Sequence, residues 1–262
     1  MKRFACSVEY NGKDYQGWQC QNGMKTVQAE IEEALSRVAS HKTTVHCAGR
    51  TDSGVHSLGQ VIHFDSKADR KNYEWVGGVN SFLPKDIRMR WCQETKTHFH
   101  ARYSALTRRY SYYIHNNRIR TAIFDGRLAW VPFSLDHTLM QRASQFWLGE
   151  KDFAAFRAKG CQAKTSKRNI FEIRIARKSD IIVISIEANS FLQKMVRNLV
   201  GTLIEIGAKR KKVEWAKFVL NSRDRNFAGA TAPPEGLYLT QVKYPVEFMM
   251  PNEDDCFTKY FL

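Results

Sequence analysis

Apolar and polar positions recur along this chain in a pattern that predicts two similar halves. Residues 3–10, RFACSVEY, form a strand-like run. Thr26 then offers an N-cap to a helix that places Val27, Ile31, Ala34, Leu35 and Val38 on one side. Residues 43–48, TTVHCA, and 59–65, GQVIHFD, predict two strands, the second alternating Val61, His63 and Asp65 with Gln60, Ile62 and Phe64. A short helix over 73–83 stops at Pro84, and IRMRWCQET at 87–95 predicts another strand. The order is βαββαβ.

The same order follows in the second half. Residues 106–115, LTRRYSYYIH, predict a strand, followed by a helix carrying Leu139, Ala143 and Phe146. IFEIRIAR at 170–177 alternates, and DIIVISIEA at 180–188 is apolar enough for a central strand. Ser190 and Gln193 have capping-box spacing for a helix whose stripe is Leu192, Met195, Val196, Leu199 and Leu203. A further helix over 213–220 precedes a last strand, GLYLTQVKY, at 236–244. The expected class is therefore α+β, with halves 1–100 and 101–262. Each half carries its helices on one sheet face, which leaves two open faces available to line a shared cleft.

Charge changes what partners are expected. Lys and Arg number 41 against 26 Asp and Glu, a net +15, and such a surface attracts polyanions, nucleic acid first. A membrane partner is not expected, since no apolar run approaches the roughly 20 residues of a spanning helix. Glu9 also arrives before a signal-peptide core can develop. The six cysteines are scattered with no CxxC pair, as expected of reduced thiols in a cytoplasmic protein.

The densest chemistry lies in HCAGRTDSGVHSLGQVIHFD, residues 46–65. Asp52 has two readings here: a surface turn carboxylate paired with Arg50, or an ionised nucleophile or base aimed into a cleft. In TRRYSYYIH, alternation puts Arg108, Tyr110 and Tyr112 on one face and Arg109 on the other. That pattern fits strand packing, or a base-stacking platform flanked by phosphate-binding arginines. Arg197 falls well off the apolar stripe of its helix, and Gly201, one turn on, admits a close neighbour. His46, Cys47, His56, His63 and Asp65 match no common metal-ligand spacing, so no metal is expected. The basic run at 208–215 is a solvated helix start or a phosphate contact.

AGRTDSGVHSLGQVIHFD resembles the signature of the tRNA pseudouridine synthase A family, a Gly-Arg-Thr-Asp-x-Gly-Val-His run. YNGKDYQGWQCQ, FHARYSALTRRYSYYI, DFAAFR, FLQKMVRNLVG and APPEGLYL resemble its other blocks, so the likeness covers nearly the whole chain. The resemblance implies two ferredoxin-like halves in a pseudo-twofold relation around a deep basic cleft. It implies conversion of uridine to pseudouridine in the anticodon arm of tRNA, at positions 38, 39 and 40, without metal or organic cofactor. It also implies a homodimer in which one tRNA touches both subunits.

By matched position, Asp52 falls on the nucleophile and Tyr110 on the residue stacked against the target base. Arg197 falls on the arginine paired with the nucleophile, Arg50 on the one that displaces the base, and Leu237 on an apolar pocket residue. Two departures stand out: Ser53 where alanine is usual, and Gln193-Lys194 where Tyr-His is commoner. The rivals are a non-catalytic RNA-binding protein with two RRM-like units, although the RNP1 pattern is absent, and a metal-dependent nuclease using Asp52, Asp65 and histidines.

Overall fold

The computed structural model describes residues 1–251; the tail beyond, with Cys256, lies outside the described residues. Along the chain run β1 (Lys2–Tyr10), α1 (Val27–Ala39), β2 (His46–Cys47), β3 (His56–Ser66), α2 (Asn72–Phe82), β4 (Ile87–Thr95) and β5 (Thr107–His115). There follow β6 (Ala129–Trp130), α3 (His137–Ser144), β7 (Gly149–Asp152), β8 (Lys167–Lys178), β9 (Ile181–Ala188), α4 (Met195–Gly207), α5 (Trp215–Ser222) and β10 (Leu237–Lys243). The class is α+β, with five α-helices and ten strands among the described residues. None of these helices is long and apolar enough to cross a membrane. Packing divides the chain into one unit of Met1–Arg108 with the segment from Tyr238 on, and a second of Arg109–Leu237.

In the first unit β1 lies antiparallel between β3 and β4, with Cys6 opposite both Ile62 and Cys92. The short β2 and the parallel β10 both attach to β3, through His46–His63 and Tyr238–His56. β3 is buried on both faces. Ile62 and Phe64 join Phe4, Trp75, Ile31 and Leu35 beneath the helices, and the Phe4 and Phe64 rings stack at 5.3 Å. Val61 faces the other way, into a smaller cluster with Ala5, Ala48, Phe99, Ala101 and Phe248.

His63 shares that second face and is 2% exposed. Its Nδ1 accepts from Ala101 N at 3.1 Å, and its ring lies 5.0 Å from His46 and 4.6 Å from His100. Burial, helped by His100, Arg3 and His46 and opposed only by Asp65, lowers its pKa to about 3. The unfolded chain therefore takes up a proton near pH 6.5 that the folded chain refuses. Stability from this site is present above pH 6.5 and drains away as pH falls toward 3, at no more than about 1.4 kcal/mol per pH unit. Urea unfolding of His63→Asn, which keeps an acceptor for Ala101, should show a flatter loss between about pH 6.5 and 4.5, above most carboxylate titration. An unchanged slope would assign the acid sensitivity elsewhere.

In the second unit the strands run β5-β9-β8-β7, with β6 on β5. Three expectations are corrected here and in the first unit. The TTVHCA strand shrinks to His46–Cys47, because Thr43 N and Val45 N bond instead to Ser36 Oγ and Glu32 Oε1 of α1. α3 ends at Ser144 and tightens into a 3-10 turn, so Met140, Ala143 and Trp147 are buried, in place of a Leu139–Phe146 face. α4 begins at Met195 after Lys194 in the left-handed region (φ 58°), and Ser190 does not cap it. Thr26 does stand at the N-cap of α1, but its hydroxyl makes no cap bond.

Candidate active site

Asp52 sits half-buried on the turn between β2 and β3 in the first unit, and Arg50 beside it is exposed. The turn is closed by Val55 N donating to Asp52 O at 3.1 Å. What fixes it is the loop after β1. Trp18 N donates to Thr51 O at 3.0 Å, Gly54 N to Tyr15 O at 3.3 Å, and the Tyr10 and Thr51 hydroxyls meet at 2.8 Å. Gly12 lies so close that a Cβ there would stand 2.0 Å from Val55 O, and its N–H donates to His56 Nδ1 at 3.0 Å. His56 is 1% exposed and stacks on Tyr238 at 4.5 Å. On the other flank the Gln60 amide brackets Gly49, donating to its carbonyl at 2.6 Å and accepting its N–H at 3.2 Å.

These contacts explain one departure from the family pattern. The Ser53 hydroxyl turns back to Tyr15 O at 3.1 Å, adding a tie between the two loops.

The other candidates belong to the second unit. Tyr110, on β5, is 8% exposed and meets the Phe191 ring edge-on at 5.1 Å. Two residues on, Tyr112 donates its hydroxyl to Pro233 O at 2.8 Å. Burial pushes that hydroxyl's pKa well up, with Glu235 adding to the rise and Arg197 opposing it. Arg197, near the start of α4, is half-buried; its Nε donates to Ala232 O at 2.7 Å while Ala232 N donates to Arg197 O at 3.1 Å. Leu237, 6% exposed, follows directly on the Pro234–Gly236 turn. Segment 229–237 thus ties Tyr112 and Arg197 together and leads into Leu237.

That segment can lie on α4 because Gly201 has no side chain: a Cβ there would stand 1.7 Å from Ala230 O. Thr231 Oγ1 donates to Asn198 Oδ1 at 2.6 Å, and Gly229 N to Thr202 Oγ1 at 3.1 Å. The Gln193-Lys194 departure is also accounted for locally. Lys194 makes the left-handed step into α4, and Gln193 N donates to Cys161 Sγ at 3.5 Å.

The flanking arginines of β5 have internal work. Arg108 donates to the carbonyls of Ala48, Ala105 and Arg102, and Arg109 pairs with Glu172 at 2.8 Å and with Glu187. The phosphate role considered for them gives way to these bonds. Sequence patterning missed His56, Gln60 and Asn198 as supports; each is a buried polar residue whose partner lies far along the chain. Among the described residues no group of three or more His, Cys, Asp or Glu is placed to hold a metal ion. Chemically, the first unit offers a carboxylate on a rigid turn, and the second an aromatic strand beside an oriented guanidinium.

A family model described as tRNA pseudouridine synthase matches residues 6–104 and 143–245. The chain is similar to the tRNA pseudouridine synthase A of Legionella pneumophila (strain Lens), 50% identical over 246 residues, which cover 94% of each protein. It is 49% identical over 250 residues to that of Aliivibrio fischeri (strain MJ11), covering 95% of each. For Buchnera aphidicola subsp. Acyrthosiphon pisum (strain APS) the identity is 51% over 252 residues, covering 96% of this chain and 95% of the relative.

Proposed function

The chain belongs to the tRNA pseudouridine synthase family, and on that premise we propose that it isomerises uridine to pseudouridine at positions 38, 39 and 40 in the anticodon arm of tRNA. It is an isomerase: the N1–C1′ bond breaks, a C5–C1′ bond forms, and the proton on C5 passes to solvent while N1 gains one. Asp52 is the nucleophile, attacking ribose C1′ or uracil C6. Tyr110 supports the base by stacking as uracil turns to present C5, Arg197 keeps the carboxylate ionised, Arg50 displaces the base, and Leu237 lines the pocket.

The observation that carries this reading is the Asp52 turn, held by main-chain bonds from the loop after β1. A nucleophile must be aimed before its substrate arrives, and that frame aims it. The architecture proposed around it is two ferredoxin-like halves, 1–100 with the aspartate loop and 101–262 with the tyrosine, related by a pseudo-twofold about a basic cleft. Support comes from the first unit, where the element order is βαββαβ and the strands run β4-β1-β3 with β2 next. The enzyme acts in the cytoplasm as a homodimer, for which the support is the family resemblance. Flipping the uridine out of its stack costs on the order of a few kcal/mol, which phosphate contacts from the +15 chain offset.

The direct test is tritium release from tRNA labelled at uracil C5, with pseudouridine mapped in cells with and without the protein. Release together with loss of the modification at 38 to 40 is the expected result. Tight tRNA binding with no release would instead identify a non-catalytic RNA-binding protein.

A further inference from the structure

The second unit carries a cavity of about 450 Å³ lined by residues 116–118, 132–134 and Arg177. Its floor is set, because its polar groups are already occupied. Asn116 donates to the carbonyls of Val131 and Phe133 and accepts from Leu135 N and Arg177 Nη1; Arg177 Nε donates to Ser179 O. Arg118 differs. It lines the cavity, is exposed, and makes no hydrogen bond or ion pair among the described residues.

The cavity continues into the basic run that leaves α4. Arg210 lies over the Phe133 ring, 4.2 Å from its centroid, and pairs with Glu205 at 3.2 Å. Lys211 lies over Trp215 at 5.2 Å, and Lys212 is exposed. The nearby carboxylates are engaged: Asp136 accepts from Thr138 N and Leu139 N at the start of α3, and Asp180 accepts from Asn117 Nδ2. A concavity with an uncommitted guanidinium, joined through Arg210 on Phe133 to a turn that exposes Lys211 and Lys212, suits a row of phosphates, which an arginine fork grips through two parallel bonds. From Tyr110, β5 carries the chain about 20 Å at the usual strand rise before reaching Asn116. That is beyond the phosphates of a nucleotide flipped onto Tyr110.

We propose that this cavity and the 209–212 turn bind the tRNA backbone outside the reacting nucleotide, a proposal that rests on tRNA being the substrate. The test uses the full chain, comparing wild type with Arg118→Ala/Lys211→Ala/Lys212→Ala for tRNA affinity between about 50 and 200 mM salt. Each lost phosphate contact lowers the slope of log K against log salt by about 0.7 to 0.9. The triple variant should therefore lose about two units of slope and bind about 10-fold more weakly at low salt, with the kinetic loss falling on KM. Arg118→Lys, which keeps the charge, should hold most of the slope. Unchanged affinity and slope in the triple variant would overturn the proposal, as would an altered oligomeric state with tRNA affinity intact. If wild type bound tRNA with this salt dependence but released no tritium, the isomerase reading would fall while the phosphate surface stood.

Discussion

Asp52→Asn should bind tRNA about as well as wild type while tritium release from uracil-5-labelled tRNA falls by on the order of 10⁴-fold. The substitution keeps the size and shape of the side chain and removes the charge. The substitution leaves in place the main-chain bonds of the turn at Thr51 O, Asp52 O, Gly54 N and Val55 N. An amide oxygen is a far poorer nucleophile than a carboxylate, so the loss falls on the chemical step. Affinity, set mainly by phosphate contacts, is spared. Measuring binding and single-turnover release on the same preparation separates the two. Turnover near the wild-type rate would remove Asp52 from the nucleophile's role.

Gly201→Ala should destabilise the protein by about 3 kcal/mol or more, at the upper end of what overpacking costs. A methyl carbon cannot stand 1.7 Å from Ala230 O, and the obstacle is backbone, so α4 or the 229–232 segment must move. Moving it breaks the paired Arg197–Ala232 bonds and the Thr231–Asn198 bond together. For a chain of this size that corresponds to a fall in Tm of about 10 °C. Gly77→Ala in α2 is the matched control: nothing lies within 4 Å of its added carbon. There the better helix propensity of alanine should leave stability equal or higher by up to about 1 kcal/mol. Equal effects at the two positions would mean that the close contact on α4 does not matter.

Long periodic elements were legible in the sequence because their own side chains set them. The stripe Val27, Ile31, Ala34, Leu35 and Val38 is the buried side of α1, and IRMRWCQET is β4 from end to end. What sequence could not supply came from distant competition. Thr43 and Val45 read as strand until α1 side chains claim their amides. Ser190 has the spacing of a cap, yet its N–H turns to Asn189 Oδ1 and the helix starts five residues on. The candidate site was visible as a motif around Asp52, and Gly201 already announced a close neighbour. Its frame was not visible, since Gly12–His56, Thr51–Trp18 and Gln60–Gly49 are pairings that only folding reveals.

The loop after β1 holds the carboxylate-bearing turn chiefly by amides and carbonyls. Spacing along residues 12–18 is therefore what positions the Asp52 turn, more than the identity of exposed residues such as Lys13 or Asp14. Substitutions on that outer surface can accumulate with little consequence. A single inserted or deleted residue would slide the whole row of bonds out of step and swing the carboxylate away. In this stretch the length of the chain constrains the turn more than the choice of outward-facing letters does.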